Sequence, residues 1–214
     1  EKEFQFPKTC PQCGGNGVRE EGKSAYKCLN KKCFIIKRRA LEHFVSRGAF
    51  DMAGLGPKIL NKFLEEGLIK NAADLFDLKT GDIEPLERFA EKSAQNIVET
   101  IKSHKEIDLP KFIYALGIPN TGEETARDIA DVVNPKSEIR NPKQILNLLK
   151  SKKIEDWQNI RDIGPIVAKS IFGYFHDKNN QDFITRLFDA GVKIKFVEIR
   201  DKKFVGQTFV FTGS

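Results

Sequence analysis

The chain has 214 residues, 31% of them charged and 40% hydrophobic, which supports one or two compact units and argues against wholesale disorder. No apolar run reaches the roughly 20 residues that cross a bilayer, and no secretory leader is visible, so a cytoplasmic protein is expected. Lys and Arg number 36 against 30 Asp and Glu, a formal +6 that permits a polyanionic partner without demanding one. The chain starts at Glu1 without Met and stops at Ser214, and both ends are expected to be cuts in a longer protein.

Four cysteines, Cys10, Cys13, Cys28 and Cys33, fall within the first 33 residues. The spacing is C-x2-C and then C-x4-C. Two close pairs on short knuckles converge on one tetrahedral Zn2+. Gly14, Gly15 and Gly17 let the chain turn sharply beneath the metal, and Asn30 serves the second pair in a similar way. Structural zinc is favoured over two disulfides, because this pairing is a zinc pattern and the rest of the chain is cysteine-free. Four thiolates close the coordination sphere, which leaves no place for a catalytic water. His43 is surplus as a ligand and is expected to pack beside Phe44. Lys31, Lys32, Lys37, Arg38 and Arg39 bracket the last cysteine as candidate phosphate contacts.

Helical periodicity follows. It predicts helices over residues 37–47, 57–66, 91–105, 109–116, 123–133, 142–150, 165–175 and 182–190. Val192, Ile194 and Phe196 alternate with lysines and predict a strand, and residues 209–211 predict another. The expected fold is mainly α: a helix-hairpin-helix domain with a small N-terminal four-cysteine zinc finger and a few short strands. The boundaries expected are 1–36 for the finger and its preceding linker, 37–200 for the helical domain, and 201–214 for the start of a further domain.

The connections between these helices resemble one another. Gly54-Leu55-Gly56, the stretch from Gly117 to Gly122, and Ile163-Gly164-Pro165 each separate two helices. The second helix of each pair carries a cation in its first turns: Lys58, Arg127 and Lys169. Residues 85–94 share the frame, with Lys92 in the corresponding place. Glycine admits close backbone approach, and the unpaired amides at a following helix start form an anion site. One copy is weak evidence; several copies imply a polymer of phosphates, bound through its backbone. The candidate DNA contacts are therefore Gly54, Gly56, Lys58, Lys92, Gly117, Gly122, Arg127, Gly164 and Lys169.

The cysteine string with Pro11, Gly14 and Asn30, the run from His43 to Ala49, and Gly54-Leu55-Gly56 closely resemble bacterial NAD-dependent DNA ligases. The likeness continues through residues 91–96, 114–118 and 122–126. It ends at Phe209-Val210-Phe211-Thr212-Gly213, which resembles the first strand of that family's BRCT domain. The resemblance implies a multidomain enzyme of replication and repair. In it a lysine takes AMP from NAD, AMP passes to the 5′-phosphate of a nick, and the 3′-hydroxyl displaces it with help from Mg2+. That lysine belongs to a Lys-x-Asp-Gly motif in an adenylation domain. This sequence contains no Asp-Gly dipeptide, so the segment is expected to bind nicked duplex DNA, together with missing adenylation, OB-fold and BRCT domains, and not to ligate alone. Arg88 and Ala90 stand where the family has glycines, so the second hairpin is expected to be degenerate. Pro119 removes one amide donor from the third. A stand-alone helix-hairpin-helix module and a protein-interaction module are the alternative readings.

Overall fold

A computed structural model describes residues 7–19, 26–30, 32–87, 89–133 and 142–195. Strands β1 (Gly17–Arg19) and β2 (Tyr26–Cys28) form a small antiparallel hairpin, with Gly17 opposite Cys28. Helices α1 (Phe34–Val45) and α2 (Pro57–Glu65) follow, then a 3-10 turn (Ala72–Asp77). Next come α3 (Thr80–Ile83), α4 (Glu91–Ser103), strand β3 (Glu106–Asp108), α5 (Leu109–Ala115) and α6 (Glu123–Val133). The chain continues with α7 (Pro142–Ser151), α8 (Ile154–Gln158), α9 (Pro165–His176), α10 (Lys178–Asp189) and strand β4 (Lys193–Lys195).

The mainly helical fold is the one periodicity predicted, and its departures have local causes. Helix α10 begins four residues earlier than 182, because Asp177 Oδ1 accepts the Asn179 amide at 2.8 Å and caps a polar first turn. The 3-10 turn, α3 and α8 are too short to show a period. Each is started instead by an aspartate: Asp74, Asp82 and Asp156 accept the amides of Asn71, Lys79 and Lys153 at 3.0, 2.8 and 2.8 Å. Strand β4 finds a parallel partner in β3, with Ile194 opposite Ile107. Phe196, the strand expected at 209–211, Arg88 and Lys31 lie outside the described residues.

The helices share one core. Its largest fully buried side chains include Trp157, Phe44, Phe63, Phe112 and Phe175. Among the described residues every phenylalanine is buried or half-buried, with Phe44 stacked on Phe50 at 4.3 Å. No charged side chain is buried among the described residues, so charge is a property of the surface. No helix among them is long and apolar enough to cross a membrane.

Four helix pairs repeat: α1–α2, α3–α4, α5–α6 and α8–α9. The second helices align without gaps. Leu60, Ala94, Ala126 and Ala168 occupy one position, each with 0% exposure. Three residues on, Phe63, Ile97, Ile129 and Ile171 are buried too. The i, i+3 spacing presents one stripe of each second helix to the core. The starts of these helices are thereby turned to the surface: Gly56, Ala90, Gly122 and Gly164 are all exposed.

Candidate metal centre and nucleic-acid interface

The four cysteine sulfurs lie within 4.8 Å of one another. Cys10 and Cys33 Sγ are 4.0 Å apart, and Cys13 and Cys28 Sγ are 3.5 Å apart. A disulfide needs about 2.05 Å, and all four cysteines are free thiols. A metal bound tetrahedrally at about 2.3 Å from each sulfur sets its sulfurs about 3.8 Å apart, so the cluster is the right size to hold one ion.

Backbone turns build the cluster. Gly14 donates to the Cys10 carbonyl at 2.8 Å and adopts φ +65°, which favours glycine. Cys33 donates to the Asn30 carbonyl at 2.8 Å in the second knuckle. Cys33 also caps α1 and is buried, which anchors the cluster to the helical core. The Gly15 amide donates toward the Cys13 sulfur and holds that thiol down at about 7. The Asn30 amide does the same for Cys28, but desolvation and the neighbouring Cys13 and Cys10 thiols outweigh it and push Cys28 up to about 12. Four sulfurs this close do not all ionise without a cation between them. His43 stands apart from them. Its Nε2 donates to the Tyr114 carbonyl at 2.7 Å, and its ring meets the Tyr114 ring edge-on.

The hairpins present their helix starts without self-capping. Gly56, Ala90 and Gly164 are extended N-caps, and none makes a side-chain cap hydrogen bond. Gly56 has φ −72° and Gly164 φ −78°, values any residue adopts. A Cβ at Gly56, Gly122 or Gly164 meets nothing within 4 Å. Neither backbone conformation nor internal packing therefore calls for glycine at Gly56 or Gly164. Pro57 and Pro165 contribute no amide, and the Ile59 amide is bonded to the Gly56 carbonyl at 3.0 Å, so the bare N-caps leave the Lys58 and Ile166 amides uncapped by a side chain and room for an outside body.

The cations sit differently in the two halves. Lys58 and Lys92 are the second residues of α2 and α4, whereas Arg127 and Lys169 are the fifth residues of α6 and α9. A lysine in a first helical turn opposes the helix dipole, so Lys58 and Lys92 gain nothing from their own helices. All four are exposed, and Lys58, Lys92 and Lys169 have no ion-pair partner among the described residues. Arg127 turns back to Glu124 at 2.6 Å. It also borders a recess of about 500 Å3 that contains Arg47 and Lys111.

In the first, third and fourth hairpins the residue two before the N-cap has a positive φ. It is Gly54 at +94° in the first hairpin, Asn120 at +63° in the third and Asp162 at +61° in the fourth. Gly117 is not the counterpart of Gly54. It follows α5 at φ +65°, and a Cβ there would lie 3.6 Å from His43. Sequence reasoning passed over Asn120 and Asp162 in this role. The available signal was residue type, because Asn and Asp enter left-handed conformations more readily than other residues with a side chain.

Residues 111–184 match the family model of the helix-hairpin-helix motif. All of this chain aligns with part of the DNA ligase of Carboxydothermus hydrogenoformans at 40% identity, covering 31% of that protein. The DNA ligases of Geotalea uraniireducens and Koribacter versatilis align over all of it at 39% and 36%, each covered for 30% of its length. Over its whole length the chain is homologous to a segment of bacterial DNA ligases.

The motif match spans the third and fourth hairpins of this ligase homologue. The first and second lie outside it but share its frame, from the buried stripe to the bare N-caps Gly56 and Ala90. The third and fourth are also joined directly: Asn120 Nδ2 donates to Ser170 Oγ at 3.1 Å, and the Tyr174 hydroxyl donates to the Leu116 carbonyl at 3.0 Å.

Proposed function

We propose that this chain is the DNA-gripping segment of an NAD-dependent DNA ligase, which holds the phosphate backbone of nicked duplex while other domains form the phosphodiester bond. The observation that carries the reading is the set of bare, exposed N-caps, with open space where Gly56, Gly122 and Gly164 lack a side chain. Open amides at a helix start suit a phosphate oxygen, and repetition suits a polymer of them. Lys58, Lys92, Arg127 and Lys169 add charge beside those starts. Gly54 shapes the first tip, and Gly117 ends the helix that leads into the third.

The ion is proposed to be Zn2+, since four thiolates in tetrahedral array favour it and no position stays open for a reacting water. It fixes the finger, residues 1–36, as a folded unit beside the helical domain, residues 37–200. Residues 201–214 are proposed as the start of a BRCT domain. NAD and Mg2+ belong to the adenylation domain of the whole enzyme. This chain has no Asp-Gly dipeptide to complete the family's Lys-x-Asp-Gly motif, so it binds without ligating. The proposed setting is the bacterial cytoplasm, at replicating and repaired DNA.

Binding of the chain to nicked duplexes of two unrelated sequences, followed by fluorescence anisotropy, tests the reading. Equal affinity for the two sequences, weakened by a Lys58→Glu, Lys169→Glu double variant, supports it. Affinity unchanged in that variant overturns it.

A further inference from the structure

Ile166 is 75% exposed, the most exposed large apolar side chain among the described residues. It is the second residue of α9, directly after Pro165 and two places after the bare N-cap Gly164. The same position holds Lys58 in the first hairpin, Lys92 in the second and Glu124 in the third. Three hairpins thus place a charged group there, and the fourth places an aliphatic one. The fold does not ask for it. Ile163, at 4% exposure, Ala168 and Ile171, both at 0%, make the core contacts of this hairpin.

The surroundings of Ile166 favour a ligand that is anionic on its rim and apolar within. Lys169 supplies a cation one turn along the helix. Asp162 at the tip is exposed and has Arg161 Nε 3.5 Å from its Oδ2, so this tip is a poorer phosphate site than that of the first hairpin. Duplex DNA has the required character: rows of phosphate flank a groove walled by deoxyribose, and aliphatic side chains enter such grooves and lodge between base steps.

We propose that Ile166 is an apolar wedge, carried into the DNA groove by the fourth hairpin and packed against sugars and base edges. The proposal rests on the reading of the hairpins as DNA clamps. It divides the labour among them: the first grips by charge, and the fourth by apolar contact beside the charge of Lys169.

The two kinds of contact separate in a salt titration. Charge contacts set the slope of log affinity against log salt, whereas an apolar contact shifts affinity equally at every salt concentration. The zinc-loaded chain is titrated with a nicked duplex between about 50 and 200 mM salt. Ile166→Ala is expected to bind about three- to ten-fold more weakly throughout with the native slope, as loss of apolar contact requires. Val132→Ala, which shortens another exposed apolar side chain, at 43%, is expected to bind as native. The Lys58→Ala, Lys169→Ala double variant is expected to flatten the slope by about 0.9 per lost phosphate contact. Native affinity in Ile166→Ala alongside a flattened double variant overturns the wedge and leaves the clamps standing. A native slope in the double variant overturns the clamps themselves.

Discussion

Asn120 and Ser170 lie in different hairpins, yet Asn120 Nδ2 donates to Ser170 Oγ at 3.1 Å. Asn120 is the positive-φ residue of the third hairpin, and Ser170 stands in the second helix of the fourth. The contact fixes one tip against the other helix, so the two helix starts are presented as a unit. The Tyr174 hydroxyl, bonded to the Leu116 carbonyl, is a second brace across the same joint. Burial pushes this phenol well above its ordinary range, so it stays protonated as a donor at any working pH. Tyr174→Phe is expected to lower stability by about 1 kcal/mol. Denaturant unfolding reads the change, and a shift near zero would remove the brace.

If the thiol cluster holds zinc as proposed, metal is tied to folding. Cys28→Ala leaves three ligands and is expected to abolish stoichiometric zinc binding. The finger then loses order, while the helical core around Trp157 keeps its cooperative transition, because that core is built from other residues. Metal analysis and two-dimensional NMR of the finger amides check this. Retention of one tightly held zinc in Cys28→Ala would contradict the four-ligand site.

Metal binding should also depend on pH in a definite direction. Cys28 sits at about 12 without metal, and a bound cation requires its thiolate. Zinc uptake must therefore release protons, and affinity must fall as pH falls. Proton release measured in two buffers of different ionisation enthalpy is expected to be above one per zinc near neutral pH. Uptake without release would mean that the sulfurs are not the ligands.

Much of this architecture was legible in the sequence because its signals are local. Cysteine spacing located the cluster, and helical periodicity located the long helices. The three glycine tips showed as similar strings. What stayed hidden depends on contacts far apart in sequence or on very short elements. Strand β3 has no periodic pattern of its own and exists because Ile107 finds Ile194. The equivalence of Gly54, Asn120 and Asp162 lies in a shared positive φ reached by three different residue types, so it does not show as a repeated string. The short helix α3 is set by Asp82, and Asp156 starts α8 at Ile154, earlier than the short helix expected between Trp157 and Ile163.

The open N-caps allow stability and binding to move in opposite directions. Gly56→Asp supplies a capping carboxylate where the helix now has none, into space that contains nothing within 4 Å. Helix capping is expected to raise stability by a few tenths of a kcal/mol. The same carboxylate occupies the amides and repels phosphate, so affinity for duplex DNA is expected to fall about ten-fold or more. Thermal unfolding and anisotropy on the same sample read both effects. Unchanged affinity with raised stability would remove Gly56 from the DNA surface.

Asp74 and Arg186 join the 3-10 turn to α10 at 2.6 Å. Partial burial tends to raise the Asp74 carboxyl, but the Lys70 amide, the Arg186 guanidinium and the Asn71 amide outweigh it and hold it below the usual range. A carboxylate lowered on folding stabilises the fold above its ordinary pKa, and that contribution disappears as pH falls through the lowered value. Asp74→Asn is therefore expected to be less stable than the native chain at neutral pH, with the gap closing below about pH 4. A gap constant from neutral to strongly acid pH would show that the charge of Asp74 is not what matters.

The most direct test of the account is the salt dependence of binding to a nicked duplex. If the hairpins clamp phosphates, log affinity falls linearly with log salt, with a slope near 0.9 for each phosphate held, or about 3 to 4 for three or four engaged hairpins. The slope should stay the same when the duplex sequence is changed. Tight binding with a slope near zero, or no binding at about 50 mM salt, would contradict the claim that these open helix starts are phosphate sites.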